Sequence, residues 1–215
     1  MDLRPSSLQG KILAMDLKGK HIILGSGSPR RRELLKGLDI DFEVDTGNNF
    51  KECFGPDIPF DQVPLLMSEG KSKGFHRPLE EDEILITADT MVILPPVGNS
   101  PGEILGKPAD RADAIRMLQD LSGRSHHVTT AVTIKSTQRM ETFTATTEVW
   151  FKSLSPEEIT YYVDTYRPFD KAGAYAIQEW IGHIGITRIE GSYFNVVGFP
   201  VQRVYEALQR FINGL

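Results

Sequence analysis

The sequence predicts an α/β protein in which helices flank a mixed sheet. Two short apolar segments, His21–Leu24 and Ile84–Ala88, are typical of strands that are buried on both faces. Two longer segments rich in β-branched and aromatic residues, Val128–Ile134 and Thr142–Phe151, pair naturally as antiparallel strands. Because helix-like segments alternate with the strands, we expect a mixed sheet in one domain or in two closely joined lobes.

Local signals define the elements of the first half of the chain. Ser28 and Pro29 are suited to the N-cap and the first turn of a helix that follows the first strand. Asp89 ends the apolar strand that begins at Ile84, and Met91–Leu94 continues in the β conformation. The other predicted elements here are a strand over Phe42–Val44, a loop over Gly47–Pro64, a helix over Leu65–Phe75 that contains Gly70 and Gly74, and a loop over Pro95–Pro101.

Capping residues define the helices of the second half. Asp110 caps a helix whose apolar stripe ends before Gly123. Ser155 and Glu158 have the spacing of a capping box, which predicts the start of another helix. The remaining predicted elements are an alternating strand over His183–Ile189 and a terminal helix that opens at Pro200.

Composition excludes several classes of protein. The 215 residues include 24 Lys and Arg and 29 Asp and Glu, a net charge of −5, which argues against a nucleic-acid polymer as partner. Cys53 is the single cysteine, so an intrachain disulfide or a cysteine-rich zinc site is excluded. The chain has neither a signal-peptide core nor an apolar run near the roughly 18 residues of a membrane span. We therefore expect a cytoplasmic protein with no membrane partner. Because Met15–Leu17 repeats Met1–Leu3 just before the first strand, residues 1–19 are predicted to be a dispensable leader, followed by a single domain over residues 20–215.

The most informative segment is Ser26–Arg32, a loop of small residues that leads into a helix with three arginines in its first turn. A helix N-terminus already carries partial positive charge, so these cations are unfavourable there unless an anion lies in the loop. Backbone N–H groups and the Ser26 and Ser28 hydroxyls would point at that anion, together with the guanidinium groups of Arg30 and Arg31. The alternative is a solvated basic turn, and the segment lacks the glycine spacing of a P-loop.

Single polar residues elsewhere are ambiguous when taken alone. Asp89 at a strand end is costly unless it binds a metal, a cation or a donor, and the alternative is a turn-forming aspartate. Lys71, Lys107 and Lys171 are each most simply surface lysines. Gln178, just after a small-residue stretch, is most simply a surface amide. The five histidines have no ligand spacing, so we do not expect a histidine metal site.

Taken together, the segments resemble the Maf family, the septum-formation inhibitor-like proteins, which are nucleoside triphosphate pyrophosphatases with a fold related to the inosine triphosphatase family. The matching motifs occur in the family's order from Lys20 nearly to the C-terminus, which makes the resemblance specific. They are Ser26–Arg31, Ala88–Thr90, Gly106–Pro108, Leu121–Gly123, Asp170–Gln178 and Gly191–Pro200.

The resemblance implies hydrolysis of a nucleoside triphosphate between its α and β phosphates. Asp89 matches the family's proton acceptor, which activates water, and it also serves as a metal ligand for Mg²⁺ or Mn²⁺. Glu52 is the candidate for the second metal carboxylate, and Gly70 departs from the longer residue that relatives often carry before the lysine matched by Lys71. Phosphate binding is assigned to Ser26, Ser28, Arg30, Arg31, Lys71, Lys107 and Lys171.

Three positions bear on base specificity in this resemblance. Arg30, Thr90 and Gln178 resemble the subgroup that acts on dTTP and UTP, whereas the subgroup that acts on 7-methyl-GTP usually has other residues there. A glutamine amide matches the N–H and carbonyl of thymine or uracil, but guanine offers a similar pair, so pocket size must contribute. A 7-methyl-GTP pyrophosphatase and a non-catalytic nucleotide-binding regulator of cell division stay open as alternatives. The resemblance also implies a homodimer.

Overall fold

A computed structural model describes residues 15–55, 57–96, 98 and 102–214. Within these residues, strands and helices alternate along the chain. The strands are β1 (His21–Leu24), β2 (Glu43–Val44), β3 (Glu83–Leu94), β4 (Glu103–Leu105), β5 (Ser125–Lys135), β6 (Met140–Phe151) and β7 (Ile186–Glu190). The helices are α1 (Pro29–Lys36), α2 (Val63–Lys73), α3 (Arg111–Leu121), α4 (Pro156–Tyr166), α5 (Trp180–Gly185), α6 (Tyr193–Val197) and α7 (Val201–Asn213), with short 3-10 turns at Phe60–Gln62 and Ala172–Ala174.

The seven described strands form one mixed sheet, as the sequence predicts. Its order is β2-β1-β3-β5-β6-β7, and β4 pairs with β3 outside that path. β1 is parallel to β2 and to β3, whereas β3, β5, β6 and β7 pair in antiparallel fashion. The α/β fold class is therefore confirmed.

Two hydrophobic clusters lie at opposite ends of β3. Ile84 and Ile86 belong to a cluster that α1 and α7 cover, and Val92 and Leu94 belong to a cluster that α3 and α4 cover. Burial of these large side chains supplies the main stabilisation of the fold. Asp89 lies between the two clusters along the strand and belongs to neither of them. Its side chain is therefore not part of the hydrophobic packing.

The prediction that Asp89 ends a strand is wrong. β3 continues through Asp89 to Leu94, and Asp89 pairs with Ala131 of β5. The neighbouring strand β1 ends instead: Leu24, its last residue, pairs with Ile86, and the chain then turns into the glycine-serine loop before α1. Asp89 therefore lies just beyond the last residue of β3 that pairs with β1, so β1 does not cover that side of β3 at Asp89.

The prediction of a strand over His183–Ile189 is wrong in its first half. Trp180–Gly185 is helical, and only Ile186–Glu190 is extended, at an edge of the sheet. The helix forms because Ile181 is completely buried in the core and Gly182 lies against the backbone of Ile177, where a Cβ would be 1.9 Å from the carbonyl oxygen. Apolar alternation in the sequence was therefore not a sufficient sign of a strand here.

Capping signals gave the most accurate boundaries. Ser28, Asp110 and Ser155 each cap the predicted helix, and Glu158 completes the capping box. α2 starts at Val63, two residues earlier than predicted, while the short elements β4 and α6 were not predicted at all.

Part of the predicted leader lies outside the described residues, namely residues 1–14. Met15 and Leu17 pack against the cluster that α1 and α7 cover. Removal of residues 15–19 would therefore cost core contacts, whereas the dispensability of residues 1–14 stays a prediction. In the part of the chain that the structure describes, no helix has the length and apolar character needed to cross a membrane.

Candidate active site

A cavity of about 570 Å³ opens where β1 ends and β3 continues. Its walls come from the loop before α1, the middle of β3, the turn before α3 and the segment that precedes α5. Every site residue predicted from the sequence lines it: Ser26, Ser28, Arg30, Arg31, Glu52, Lys71, Asp89, Thr90, Lys107, Lys171 and Gln178. The tertiary structure thus brings together residues that are more than 150 positions apart in the chain.

Lys71 lies between two carboxylates in the lining of the cavity. Its Nζ is 2.5 Å from Asp89 Oδ1 and 3.0 Å from Glu52 Oε1. Asp89 is only 7% exposed, and among the described residues its Oδ2 atom has no hydrogen-bond partner. Burial raises the pKa of Asp89 above its ordinary value, while the charges of Lys71 and Arg31 oppose that rise. Asp89 is therefore a buried carboxylate with one oxygen paired and one oxygen available.

Buried hydroxyl groups set the register between Lys71 and Asp89. The Thr87 hydroxyl donates to the Ser68 carbonyl at 2.8 Å, and the Ser68 hydroxyl lies 3.2 Å from the Thr87 carbonyl. Thr87 and Asp89 share one face of β3, and Ser68 and Lys71 lie one turn apart on α2. The reciprocal pair therefore aligns helix and strand so that the ammonium meets the carboxylate.

Arg31 is bound inward rather than projecting freely into the cavity. Its Nη1 donates to the Ala88 carbonyl at 2.8 Å, its Nε to the Gly198 carbonyl at 3.0 Å and its Nη2 to the Thr90 hydroxyl at 3.1 Å. Burial lowers the pKa of Arg31, and the nearby Asp89 carboxylate raises it. This geometry assigns Arg31 a part in holding the loop, β3 and α6 together, and its predicted contact with phosphate stays a prediction.

Thr90 also has internal partners. Its hydroxyl lies 2.9 Å from that of Thr130 on β5 and 3.4 Å from the Gly198 carbonyl, in addition to the bond from Arg31. Thr90 therefore shapes the cavity wall and ties β3 to the segment after α6. Its influence on base specificity stays a prediction, and it would act by setting the shape of the cavity wall.

Asp170 lines the same cavity, but the sequence analysis did not list it among the candidate site residues. Its Oδ2 lies 3.0 Å from Arg30 Nη1, and its Oδ1 lies 2.8 Å from Lys171 Nζ. Lys171 is buried and also pairs with Glu179 at 3.3 Å, and Glu179 accepts a hydrogen bond from the Tyr162 hydroxyl at 2.5 Å. Asp170 thus orients two predicted phosphate ligands, and its position directly before Lys171 was the available signal.

We expect the contribution of Asp170 to stability to disappear in acid. Burial opposes its ionisation, but hydrogen bonds from Lys171 and Arg30 outweigh burial and lower its pKa to about 2 from an ordinary value of 3.8. The stabilisation is thus present above pH 3.8 and is lost as pH falls through about 2. Because the Asp170 side chain is 61% exposed, the effect is at most about 1 kcal/mol.

Thermal unfolding of Asp170→Asn and of the unchanged protein, followed from neutral pH into acid, measures this effect. The difference in unfolding temperature between the two proteins should be constant near neutral pH and should shrink between pH 3.8 and about 2. A difference that persists at the acid end would contradict the assignment. Asp164→Asn is the matched control, since Asp164 pairs with Arg111 outside the cavity and also has a lowered pKa.

The other predicted ligands divide into two exposed side chains and two serines with internal hydrogen bonds. Lys107 and Gln178 are exposed, and neither side chain has a hydrogen bond or an ion pair with a described residue. Ser28 caps α1, and the Ser26 hydroxyl accepts from the Ser28 backbone N–H and from Arg31, each at 3.3 Å. Lys107 and Gln178 are therefore free to meet a ligand directly.

The cavity is positive although the chain is acidic. Five cationic and three carboxylate side chains line it, which leaves a net charge of +2 within a chain of −5. Concentrated positive charge with arginine and lysine donors suits a small polyanion such as a polyphosphate. The described residues contain no cluster of three or more His, Cys, Asp or Glu side chains that would hold a metal by themselves.

The fold and the site together define an α/β protein with a positively charged cavity, suited to a small polyanion, at the point where β1 ends beside β3. Residues 21–211 match the family described as Maf-like protein, and the chain belongs to that family. The resemblance inferred from the motifs is therefore confirmed.

Curated relatives cover nearly the whole chain. A dTTP/UTP pyrophosphatase of Bacteroides thetaiotaomicron is 45% identical over 189 residues, which are 88% of this chain and 95% of the relative. One of Porphyromonas gingivalis is 46% identical over 198 residues, 91% of this chain and 96% of the relative. One of Phocaeicola vulgatus is 45% identical over 195 residues, 91% of this chain and 98% of the relative.

Proposed function

We propose that this chain is a pyrophosphatase that hydrolyses dTTP and UTP to the nucleoside monophosphate and pyrophosphate. The observation that carries the proposal is the buried Asp89 carboxylate, with one oxygen unpaired, beside lysine and arginine side chains in a single cavity. The names of the relatives, which match this chain over about nine-tenths of its length, support the choice of substrate.

In this function, Asp89 accepts the proton of the attacking water. A pKa raised by burial makes its carboxylate a better proton acceptor than an exposed aspartate. Lys71, which is hydrogen-bonded to Asp89, favours the ionised form that the acceptor needs before attack. The water is thereby activated next to cations that hold the phosphates.

The cationic side chains bind and orient the triphosphate. Hydrolysis between phosphates requires neutralisation of charge on the phosphate oxygens and an in-line approach of the nucleophile. Lys107 is exposed and has no partner among the described residues, so it can meet phosphate oxygens directly. Arg30 and Lys171 are oriented by Asp170 and can exchange that partner for phosphate oxygens. Arg31 stabilises the cavity wall through its hydrogen bonds to Ala88, Thr90 and Gly198.

We also propose that Asp89 and Glu52 hold a divalent cation, Mg²⁺ or Mn²⁺. Both carboxylates pair with the ammonium group of Lys71, so two negative charges converge at this point, and Asp89 Oδ2 is buried without a hydrogen-bond partner among the described residues. Two carboxylates completed by substrate oxygens are a usual Mg²⁺ site in nucleotide enzymes. When bound, the cation supplies further positive charge to the phosphate oxygens.

Gln178 is proposed to contact the base. Its exposed amide lies in the same cavity as the phosphate cations, and it can accept from the N–H and donate to the carbonyl of uracil or thymine. The resemblance further supports a homodimer, which light scattering would measure, and a location in the cytoplasm.

A substrate panel tests the proposal. We expect pyrophosphate release from dTTP and UTP with kcat/KM at least about tenfold above that for 7-methyl-GTP and CTP, because a base of another size or hydrogen-bonding edge loses contacts with the cavity wall or with Gln178. The assay measures pyrophosphate with Mg²⁺ and with Mn²⁺. A preference for 7-methyl-GTP would assign the chain to that activity instead, and nucleotide binding without any pyrophosphate release would favour a regulator of cell division.

A further inference from the structure

The aromatic ring of Phe50 occupies space beside the last two turns of α2. A Cβ atom added at Gly70 would lie 2.2 Å from Phe50 Cζ, and one added at Gly74 would lie 2.7 Å from Phe50 Cβ. A glycine inside a helix costs about 1 kcal/mol relative to alanine, so Gly70 needs a compensating reason. The space that the Phe50 ring occupies is that reason, because a side chain at position 70 would overlap the ring.

Hydrogen bonds also attach the loop that contains Phe50 to α2. The Asn48 side chain donates to the Lys71 carbonyl at 2.6 Å, and its Oδ1 accepts from the Phe50 N–H at 2.8 Å. The Asn49 N–H donates to the Gly74 carbonyl at 2.8 Å. The loop therefore follows the turn of the helix that carries Lys71.

Glu52 depends on this attachment for its position. It lies two residues after Phe50, its side chain is 61% exposed, and its ion pair is with Lys71. No other described residue pairs with Glu52. An exposed carboxylate on an irregular loop would sample many positions unless a neighbouring residue were anchored, and the half-buried Phe50, packed against Gly70 and Gly74, is that anchor.

We infer that Phe50 is a positioning residue: its packing on Gly70 and Gly74 holds Glu52 at Lys71 and at the divalent cation. This inference rests on the proposed function. Phe50 thus acts through Glu52, and Gly70 is required because any side chain there would displace the ring and the loop with it.

A double-mutant cycle tests the inference. We expect Phe50→Ala and Gly70→Ala each to weaken Mn²⁺ binding by about tenfold, as changes that misplace a metal ligand commonly do. The double variant should be no weaker than Phe50→Ala alone, because without the ring an alanine at position 70 has room. Phe50→Leu, which keeps an apolar side chain, should recover much of the affinity.

The measurement is the electron paramagnetic resonance of free Mn²⁺, titrated with protein in the presence of dTMP and pyrophosphate, where no turnover occurs. In steady-state assays of Phe50→Ala and Gly70→Ala, the Mn²⁺ concentration needed for half-maximal activity should rise by a larger factor than the KM for dTTP. Phe54→Ala is the matched control, because Phe54 belongs to the same loop but is 46% exposed, and it should bind Mn²⁺ like the unchanged protein.

Several outcomes would overturn the inference. They are an absence of Mn²⁺ binding to the unchanged protein, unchanged Mn²⁺ affinity in Phe50→Ala, and full additivity of the two single changes. A loss of thermal stability in Phe50→Ala without a change in Mn²⁺ affinity would give Phe50 a structural role only. Mn²⁺ binding that depends on Phe50 in a protein that releases no pyrophosphate would refute the proposed function and leave this inference standing.

Discussion

Asp89→Asn is expected to lower kcat for dTTP by about 10²–10⁴-fold, the range that a general base commonly contributes. The amide keeps the shape of the carboxylate but cannot accept the proton of water, and it is a weaker metal ligand. Nucleotide binding should persist, because the phosphate cations are unchanged.

The same substitution should not destabilise the fold. Burial raises the pKa of Asp89, so the folded protein holds the proton more tightly than the unfolded chain. Stability therefore falls as pH rises from the unfolded pKa through the folded one, and above the folded pKa the ionised Asp89 is a cost to folding. We expect Asp89→Asn to unfold at the same temperature as the unchanged protein or at a higher one.

Glu83→Gln provides the matched control for Asp89→Asn. Glu83 lies on the same strand and is 8% exposed, but it pairs with Arg77 outside the cavity, and hydrogen bonds from Arg77 lower its pKa. The Glu83→Gln variant should be less stable than the unchanged protein but should hydrolyse dTTP at the same rate, which is the reverse of the result expected for Asp89→Asn. Turnover of Asp89→Asn at the normal rate would refute the role of Asp89 as proton acceptor.

Arg31→Met is expected to destabilise the protein by about 3 kcal/mol, because it leaves buried hydrogen-bond acceptors without their donor. The groups affected are the Ala88 and Gly198 carbonyls and the Thr90 hydroxyl. Denaturation in urea measures the loss of stability.

Arg32→Met is the control for Arg31→Met. Arg32 is the next residue on α1, is exposed and makes no ion pair with a described residue, so its loss should change stability by no more than about 0.5 kcal/mol. Equal stability of the two variants would contradict the positioning role of Arg31. If Arg31→Met instead kept its stability and lost affinity for dTTP, Arg31 would be a direct phosphate ligand.

Much of the fold was predictable because its signals are local. Ser28, Asp110 and the Ser155–Glu158 capping box each act within one helical turn, and all three helix starts are confirmed. The failures came where distant contacts decide the structure. α5 is helical because Ile181 is buried in the core, and β3 continues past Asp89 because β5 pairs with it along its length.

The sequence by itself determined the family and the chemical groups of the site. Most of the predicted site residues lie in short motifs whose order is visible in one dimension, whereas Glu52 and Lys71 lie outside those motifs, and all of them line the cavity. Their residue types indicate a polyanionic ligand before any geometry is known.

Only the tertiary structure decided which of these groups interact. Arg30 and Arg31 are neighbours in the chain, yet Arg30 pairs with Asp170 at the cavity and Arg31 is bound inward to backbone carbonyls. Lys71 meets Asp89 only because buried hydroxyls align α2 with β3. Such pairings depend on the register between elements that are distant in sequence, and that register is set by packing and buried hydrogen bonds, for which no short motif exists.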